Sequence, residues 1–434
     1  MPDLRVLTWT SSGESEIPFD EVHRILEALL GCRGGCYHTR AMTEANISVR
    51  EILLFLRGRQ NQMVGLLEKF VRCESPSFNK EAVDRMGEIV AAEWQGRGAH
   101  VRMLQQPKRG NQVRAEVALD NSRPAGLPAV TGQLLVLGHM DTVYPFGTLA
   151  TMPFRVSGGR AWGPGTFDMK AGIVLALFAV DALRALKIVP RKRLVFFWCS
   201  DEEIGSQASR KLFEAEARRS DAVFVVEPAL GADGRLKTAR KGVGSAEVIV
   251  TGRSAHAGIE PGAGLNAVHE LALQIERLIK MNDPRKGITV QATVIGGGTV
   301  SNVVPDHARA EVDLRYARLS DGKPLDRKLH SLKPILRGAR IEVRGGINRP
   351  PLERTKEGAK LFAHAQSLMK EMGISVGEAS TGGGSDGNFT SALGIPTLDG
   401  LGAVGDGAHS SREHVVIRRL PERAALLAAL LASC

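Results

Sequence analysis

Aromatic side chains make up only 5% of this chain. That scarcity bears on its charge, because 57 Lys+Arg against 47 Asp+Glu leave a formal +10, and a nucleic-acid binder with that excess would carry a recognition module or interleaved stacking rings. The basic residues are instead scattered or flank strands, as in Arg191-Lys192-Arg193, so nucleic acid is not expected as a partner. A positive field of this kind steers small anionic substrates inward. Cysteine is also sparse. Cys32, Cys36, Cys73, Cys199 and Cys434 are odd in number and cannot all pair, which points to a reducing, cytoplasmic compartment. Cys32-x-x-x-Cys36-Tyr37-His38 has no second ligand pair to make a zinc knuckle. The Ala424 to Ala432 run is too short to span a bilayer and reads as a buried helix. The first 41 residues lack the charged, apolar and small-residue regions of a signal peptide. No membrane association is expected.

What the chain does have is metal-seeking side chains where strands end: His139-Met140-Asp141, Asp168-Met169-Lys170, Glu202-Glu203, Glu227-Pro228 and Ala408-His409-Ser410. The runs Leu134 to Leu137, Arg193 to Trp198 and Ala222 to Val226 read as buried parallel strands. In open α/β sheets, residues beyond the carboxyl ends of such strands meet at one crevice. Asp141, Asp168, Glu202, Glu203 and Glu227 would then converge. Carboxylates that close and partly buried would be driven to neutrality unless cations sit among them, and two divalent ions resolve the conflict. Glycines at Gly163, Gly165, Gly172 and Gly205 allow backbone to approach such a site closely.

These motifs resemble the co-catalytic metallopeptidases that include carboxypeptidase G type glutamate carboxypeptidases, aminoacylases, acetylornithine deacetylases and succinyl-diaminopimelate desuccinylases. The match runs through Gly138 to Val143, Gly163-Pro164-Gly165 to Lys170, Ser200 to Gly205 and Glu227-Pro228, then Ser254-Ala255-His256-Ala257-Gly258, Ser301 to Pro305, Asp313 to Tyr316 and Thr381 to Asp386. It covers roughly Ser48 to the C-terminus and looks closest to the glutamate carboxypeptidase branch. Lys170-Ala171-Gly172 departs from the usual Lys-Gly-Gly, at the cost of one methyl.

The resemblance implies a zinc-exopeptidase-like α/β catalytic domain with a mostly parallel central sheet, and an inserted two-layer α+β domain acting as lid and dimerisation unit. The expected division is an N-terminal extension over 1–45 with little fixed structure, catalytic segments over 46–240 and 350–434, and the insertion over 241–349. Within the insertion, strands are expected at Ser245 to Thr251, Thr289 to Ile295, Ala308 to Arg315 and Arg340 to Val343. Helices are expected near Asn266 to Met281 and Lys323 to Leu336. Ser48 with Glu51 forms a capping box ahead of the first catalytic helix.

The resemblance also implies roles. His139, Asp168 and Glu227 would hold one ion and Asp168, Glu203 and His409 the other, with Asp168 bridging. Two zinc ions per chain are expected, with cobalt or manganese able to substitute. Asp141 would orient His139, and Glu202 would serve as general base toward a metal-bridging water. His256 would donate to the scissile carbonyl, from its own chain or a dimer partner. Asn302 and Arg315 would meet substrate or brace the lid, Arg349 would grip the substrate carboxylate, and Gly383 would contact substrate. The implied activity is hydrolysis of an amide bond next to a free carboxylate, with an N-acyl-amino acid deacylase or dipeptidase as the alternative.

Overall fold

The computed structural model describes residues 5–8, 15–18, 48–119 and 131–434. Residues 1–46 and 47–434 form separate compact units. Of the first, the described part is an antiparallel pair, Arg5–Thr8 with Ser15–Pro18. The amphipathic stretch Val22 to Leu30 and the Cys32/Cys36 pair lie outside the described residues.

The second unit is organised by a six-stranded sheet. Its strands are β1 (His100–Leu104), β2 (Gln112–Val117), β3 (Gln133–His139), β4 (Arg193–Cys199), β5 (Ala222–Val225) and the late β10 (Thr397–Leu398). They lie in the order β10-β5-β3-β4-β2-β1. The four strands β10, β5, β3 and β4 run parallel, and β2 and β1 join antiparallel at one edge. Continuous apolar runs form the centre because both faces are covered. Leu134 and Val136 of β3, with Phe196 and Trp198 of β4, face one core. Leu135, Leu137, Val195 and Phe197 face the other, against Phe213 and Phe389.

Three helices lead into the sheet: α1 (Val49–Arg57), α2 (Gln60–Arg72) and α3 (Lys80–Gly96). The Ser48 hydroxyl caps α1 through the Glu51 N–H at 3.3 Å, the half of the capping box that satisfies an orphan helical donor. Helix α4 (Ala171–Ala185) starts immediately after Asp168-Met169-Lys170 and is buried on nearly every side. It packs between the sheet and the C-terminal helix α8 (Leu420–Ser433). Helix α8 is buried along its length, as expected from the sequence. A Cβ at Gly172 would lie 2.2 Å from the Val226 carbonyl, so glycine is what allows α4 to start against the end of β5.

Beyond β5 the chain builds a separate antiparallel sheet, formed by β6 (Gly242–Thr251), β7 (Thr289–Gly297), β8 (His307–Tyr316) and β9 (Arg340–Arg349) in the order β7-β8-β6-β9. Alternate residues of β8 are buried against α5 (Ala267–Ile279) and α6 (Leu319–His330). Two expectations shift here. Strand β9 continues past Val343 through Gly345 and Gly346, both at positive φ (84° and 141°), because glycine carries the chain through a conformation that would end a strand of other residues. Helix α6 begins earlier than Lys323 and stops at His330, since Pro334 blocks the continuation to Leu336. Strand β7 is an edge, with Val294 and Ile295 49% and 61% exposed.

Candidate metal centre

Strand exits deliver His139, Glu202, Glu203 and Glu227, and turns deliver Asp168 and His409. His139 is the last residue of β3. Strand β4 runs out into a tight turn carrying Glu202 and Glu203, and β5 leads through Val226 to Glu227. Asp168 sits in the irregular turn before α4, with φ −114° and ψ 93°. His409 occupies a left-handed position, φ 60°, in the turn between the short strands Gly405–Asp406 and His414–Val416.

The side chains meet in two clusters joined by one carboxylate. His139 Nε2 lies 3.4 Å from Asp168 Oδ1 and 3.3 Å from Glu227 Oε1. His409 Nε2 lies 3.3 Å from Asp168 Oδ2 and 3.2 Å from Glu203 Oε2. The ligand atoms of His139, Asp168 and Glu203 also fall within 4.8 Å of one another. Charged hydrogen bonds close to about 2.7–2.9 Å, and these contacts are longer. Two ligands about 2.0–2.1 Å from one tetrahedral ion stand about 3.3 Å apart, which is the separation seen. Glu203 Oε1 is buried without a hydrogen-bond partner among the described residues. The donor set therefore fits a divalent cation.

The electrostatics lead to the same reading. Burial alone would lower the His139 pKa, but Asp141, Asp168 and Glu227 raise it well above the imidazole range. Asp168 and Glu203 push His409 up to about 10. Burial pushes Glu203 up to about 7 despite His409 beside it, and lifts Glu202 well above its usual range against the pull of Arg349. Without cations the site thus favours protons on His139, His409, Glu202 and Glu203 while the two histidines hold Asp168 ionised against its burial, which is the charge conflict a metal relieves.

Asp141 is buried and orders the surroundings. Its carboxylate accepts from Ser77 Oγ at 2.7 Å and from the N–H groups of Glu202 and Glu203, each at 3.2 Å. His139 Nδ1 donates to the Asp141 carbonyl oxygen at 2.9 Å, while the carboxylate Oδ1 is 3.4 Å away. The tautomer is fixed as expected, with Nε2 free to ligate, but the backbone carbonyl makes the shorter contact. The carboxylate mainly orients the Glu202-Glu203 turn.

The residues expected around the substrate divide. His256 is exposed, and its Nδ1 accepts the N–H groups of Gly258 and Ile259 at 3.2 and 3.1 Å. The imidazole proton therefore sits on Nε2. Asn302 is its neighbour: the Asn302 carbonyl accepts from Ala257 N–H, and His256 bridges Val303. Among the described residues neither side chain bonds to the metal-seeking cluster. Arg315 is held by Asp313 at 2.8 Å and reaches the Gly382 carbonyl at 3.3 Å, tying the antiparallel sheet to the triple-glycine loop. The Gly383 carbonyl accepts from Arg240 at 3.2 Å.

Arg349 differs from expectation. It is only 5% exposed, and its guanidinium pairs with Asp386 at 2.6 Å and Glu202 Oε1 at 3.1 Å, with Ser206 Oγ at 2.9 Å. Its donors face inward beneath the glutamate and are already engaged. Three further residues escaped the sequence reading. Arg240 makes a two-pronged pair with Asp399, both bonds 2.8 Å, and lies 3.5 Å from Glu227 Oε2. Glu413 and Tyr144 brace the Asp168 turn from behind. An isolated glutamate four residues past His409 gives no local sign of that task.

The chain resembles known proteins along most of its length. The chain is 32% identical over 390 residues to carboxypeptidase G2 of Pseudomonas sp. (strain RS-16), covering 88% of this chain and 92% of that one. A succinyl-diaminopimelate desuccinylase of Burkholderia lata is 28% identical over 305 residues, 66% of this chain and 79% of its own. Among solved structures, the aminopeptidase PepT of Bacillus cereus shares the fold with a TM-score of 0.69 at 20% identity, over 86% of this chain and 98% of that one. An M20 family metallo-carboxypeptidase of Sulfolobus solfataricus gives 0.67 at 16%, over 86% and 98%. Residues 135–433 match the peptidase family M20/M25/M40. The chain belongs to that family, and is a hydrolase of metallopeptidase type.

Proposed function

We propose that this enzyme cleaves an amide bond adjacent to a free carboxylate, releasing a C-terminal amino acid such as glutamate. The observation that carries the reading is the division of Asp168, whose two oxygens face two different histidines, each with a further carboxylate. On this reading His139, Asp168 and Glu227 hold one ion and Asp168, Glu203 and His409 the other. Zinc is the default for such ligands, with cobalt or manganese able to replace it. When bound, the ions supply Lewis acidity at the scissile carbonyl and make water a usable nucleophile near neutral pH.

The chain's own residues do the rest. Glu202 lies beside the ligands without belonging to either cluster, and takes a proton from the attacking water and hands it to the leaving amine. Asp141 holds the Glu202-Glu203 turn. Arg349 keeps the Glu202 carboxylate in place from below, so its service is to the base and not to the substrate carboxylate. His256, an Nε2–H donor, stabilises the oxyanion that develops on the carbonyl. Because it stands apart from the cluster in its own chain, closure of the antiparallel-sheet unit or a second subunit must bring it in. The exposed Val294 and Ile295 on edge strand β7 support a homodimer formed through residues 241–349. Asn302, Arg315 and Gly383 line the same approach. No helix among the described residues is long and apolar enough to cross a membrane, and the free thiols Cys73, Cys199 and Cys434 support a cytoplasmic location.

The desuccinylase relatives keep an N-acyl-amino acid deacylase, or a dipeptidase, as the second reading. A metal-reconstituted panel of acyl-glutamates, acetylornithine, succinyl-diaminopimelate and simple dipeptides separates them. Preferred turnover of acyl-glutamates is expected, and preference for acetylornithine or the succinyl substrate moves the enzyme to the deacylase branch.

A further inference from the structure

Glu413 is completely buried, yet it belongs to neither cluster. Its Oε1 accepts the N–H groups of Phe167 and Asp168 at 2.7 and 2.9 Å. Its Oε2 accepts the Gly165 N–H at 3.0 Å and lies 2.5 Å from the Tyr144 hydroxyl. The turn that presents Asp168 is thus wrapped around one carboxylate. Tyr144 completes a second link, because its hydroxyl also lies 3.0 Å from the carbonyl of Ser410, the residue after His409. The Glu413 N–H donates to that same carbonyl at 3.1 Å. One carboxylate and one phenol therefore tie the turn of the bridging acid to the turn that holds His409 in its left-handed conformation.

We propose that Glu413 and Tyr144 are positioning residues that set the separation between Asp168 and His409, and thereby the affinity of the second cation. This rests on the assignment of two cation positions sharing Asp168. A buried carboxylate surrounded by donors is replaced poorly by an amide, since a Gln NH2 would face either the Phe167 and Asp168 N–H groups or that of Gly165. Tyr144→Phe is the milder change. It leaves the backbone N–H groups of the Asp168 turn on Glu413 and removes only the hydroxyl shared between Glu413 Oε2 and the Ser410 carbonyl.

Cobalt or zinc titration of chelator-stripped full-length protein against a competing chelator tests this, with melting of the metal-free protein as the control. Tyr144→Phe is expected to keep the metal-free melting temperature and one tight ion, and to bind the other about 10–100-fold more weakly, the usual cost of losing an outer-shell partner. Its turnover should return at saturating cobalt. Glu413→Gln should weaken both ions, and Glu413→Asp should fall between. Wild-type affinity for both ions in Tyr144→Phe would overturn the proposal, as would affinity losses that only track lower metal-free melting temperatures. Wild-type protein that binds fewer than two ions overturns the two-position assignment itself.

Discussion

Arg349 Nη2 lies 3.1 Å from Glu202 Oε1 and 2.8 Å from the Glu202 carbonyl oxygen, so one buried guanidinium holds both the side chain and the backbone of the glutamate beside the metal cluster. The same group pairs with Asp386. Removing it strands two largely buried carboxylates, and breaking a buried pair typically costs about 3–5 kcal/mol. Arg349→Ala is therefore expected to lower the denaturation midpoint strongly and to reduce kcat more than it raises KM. Arg349→Lys, which keeps the charge but loses the fork, should recover stability better than turnover. A variant with wild-type kcat and a raised KM would instead place the arginine on the substrate.

The adjacent glutamates should fail in different ways. Glu202→Gln removes the proton shuttle and leaves both clusters intact, whereas Glu203→Gln strips the carboxylate that faces His409 Nε2 at 3.2 Å. The first variant should keep the wild-type metal content while losing several orders of magnitude in rate. The second should lose one ion. Metal analysis that finds Glu202→Gln depleted and Glu203→Gln full reverses the two roles.

His256 carries its proton on Nε2 because two backbone N–H groups occupy Nδ1. His256→Ala should cost about two to three powers of ten in turnover, the magnitude for one oxyanion donor, with metal content unchanged. Mixing it with Glu202→Gln asks where the donor acts. If the histidine works across a dimer, one site of each mixed dimer regains both an intact base and an intact donor, and activity reappears from inactive parents. No recovery after demonstrated subunit exchange puts His256 in its own chain's site or outside catalysis.

Metal removal should leave a pH signature. In the metal-free protein His409 is raised to about 10 from the ordinary 6.5 by Asp168 and Glu203. The folded state then binds the proton more tightly than the unfolded chain, so this contribution is fully present below about pH 6.5 and fades as pH rises through about 10. Chelated protein should lose stability across that window, and saturating zinc should suppress the loss. Since imidazoles must shed protons to ligate, zinc binding at pH 7 should release protons, seen calorimetrically as a dependence of the heat on buffer ionisation enthalpy. No proton release would show that the histidines are already neutral without metal.

The ligand set is legible in the sequence because its chemistry is local. Buried parallel strands appear as unbroken apolar runs, such as Leu134 to Leu137, and the residues at the carboxyl end of every such run must sit at the same edge of the sheet. His139, Glu202, Glu203 and Glu227 can therefore be placed at one edge from residue type and position, Asp168 and His409 join them only through the family resemblance, and the structure brings His139, Asp168, Glu203, Glu227 and His409 together. The strands of the antiparallel sheet are equally visible through their alternation, except where glycines carry β9 onward. What the chain cannot announce is which polar groups become buried when distant segments close on one another. Arg349 looks like a surface cation available to substrate until folding sets Asp386 and Glu202 against it. Glu413 has no signature, since its bond to the Asp168 amide spans 245 residues. Residue chemistry selects what can bind a metal, whereas tertiary packing decides which buried charges must satisfy one another, because only in the folded interior is water no longer there to do so.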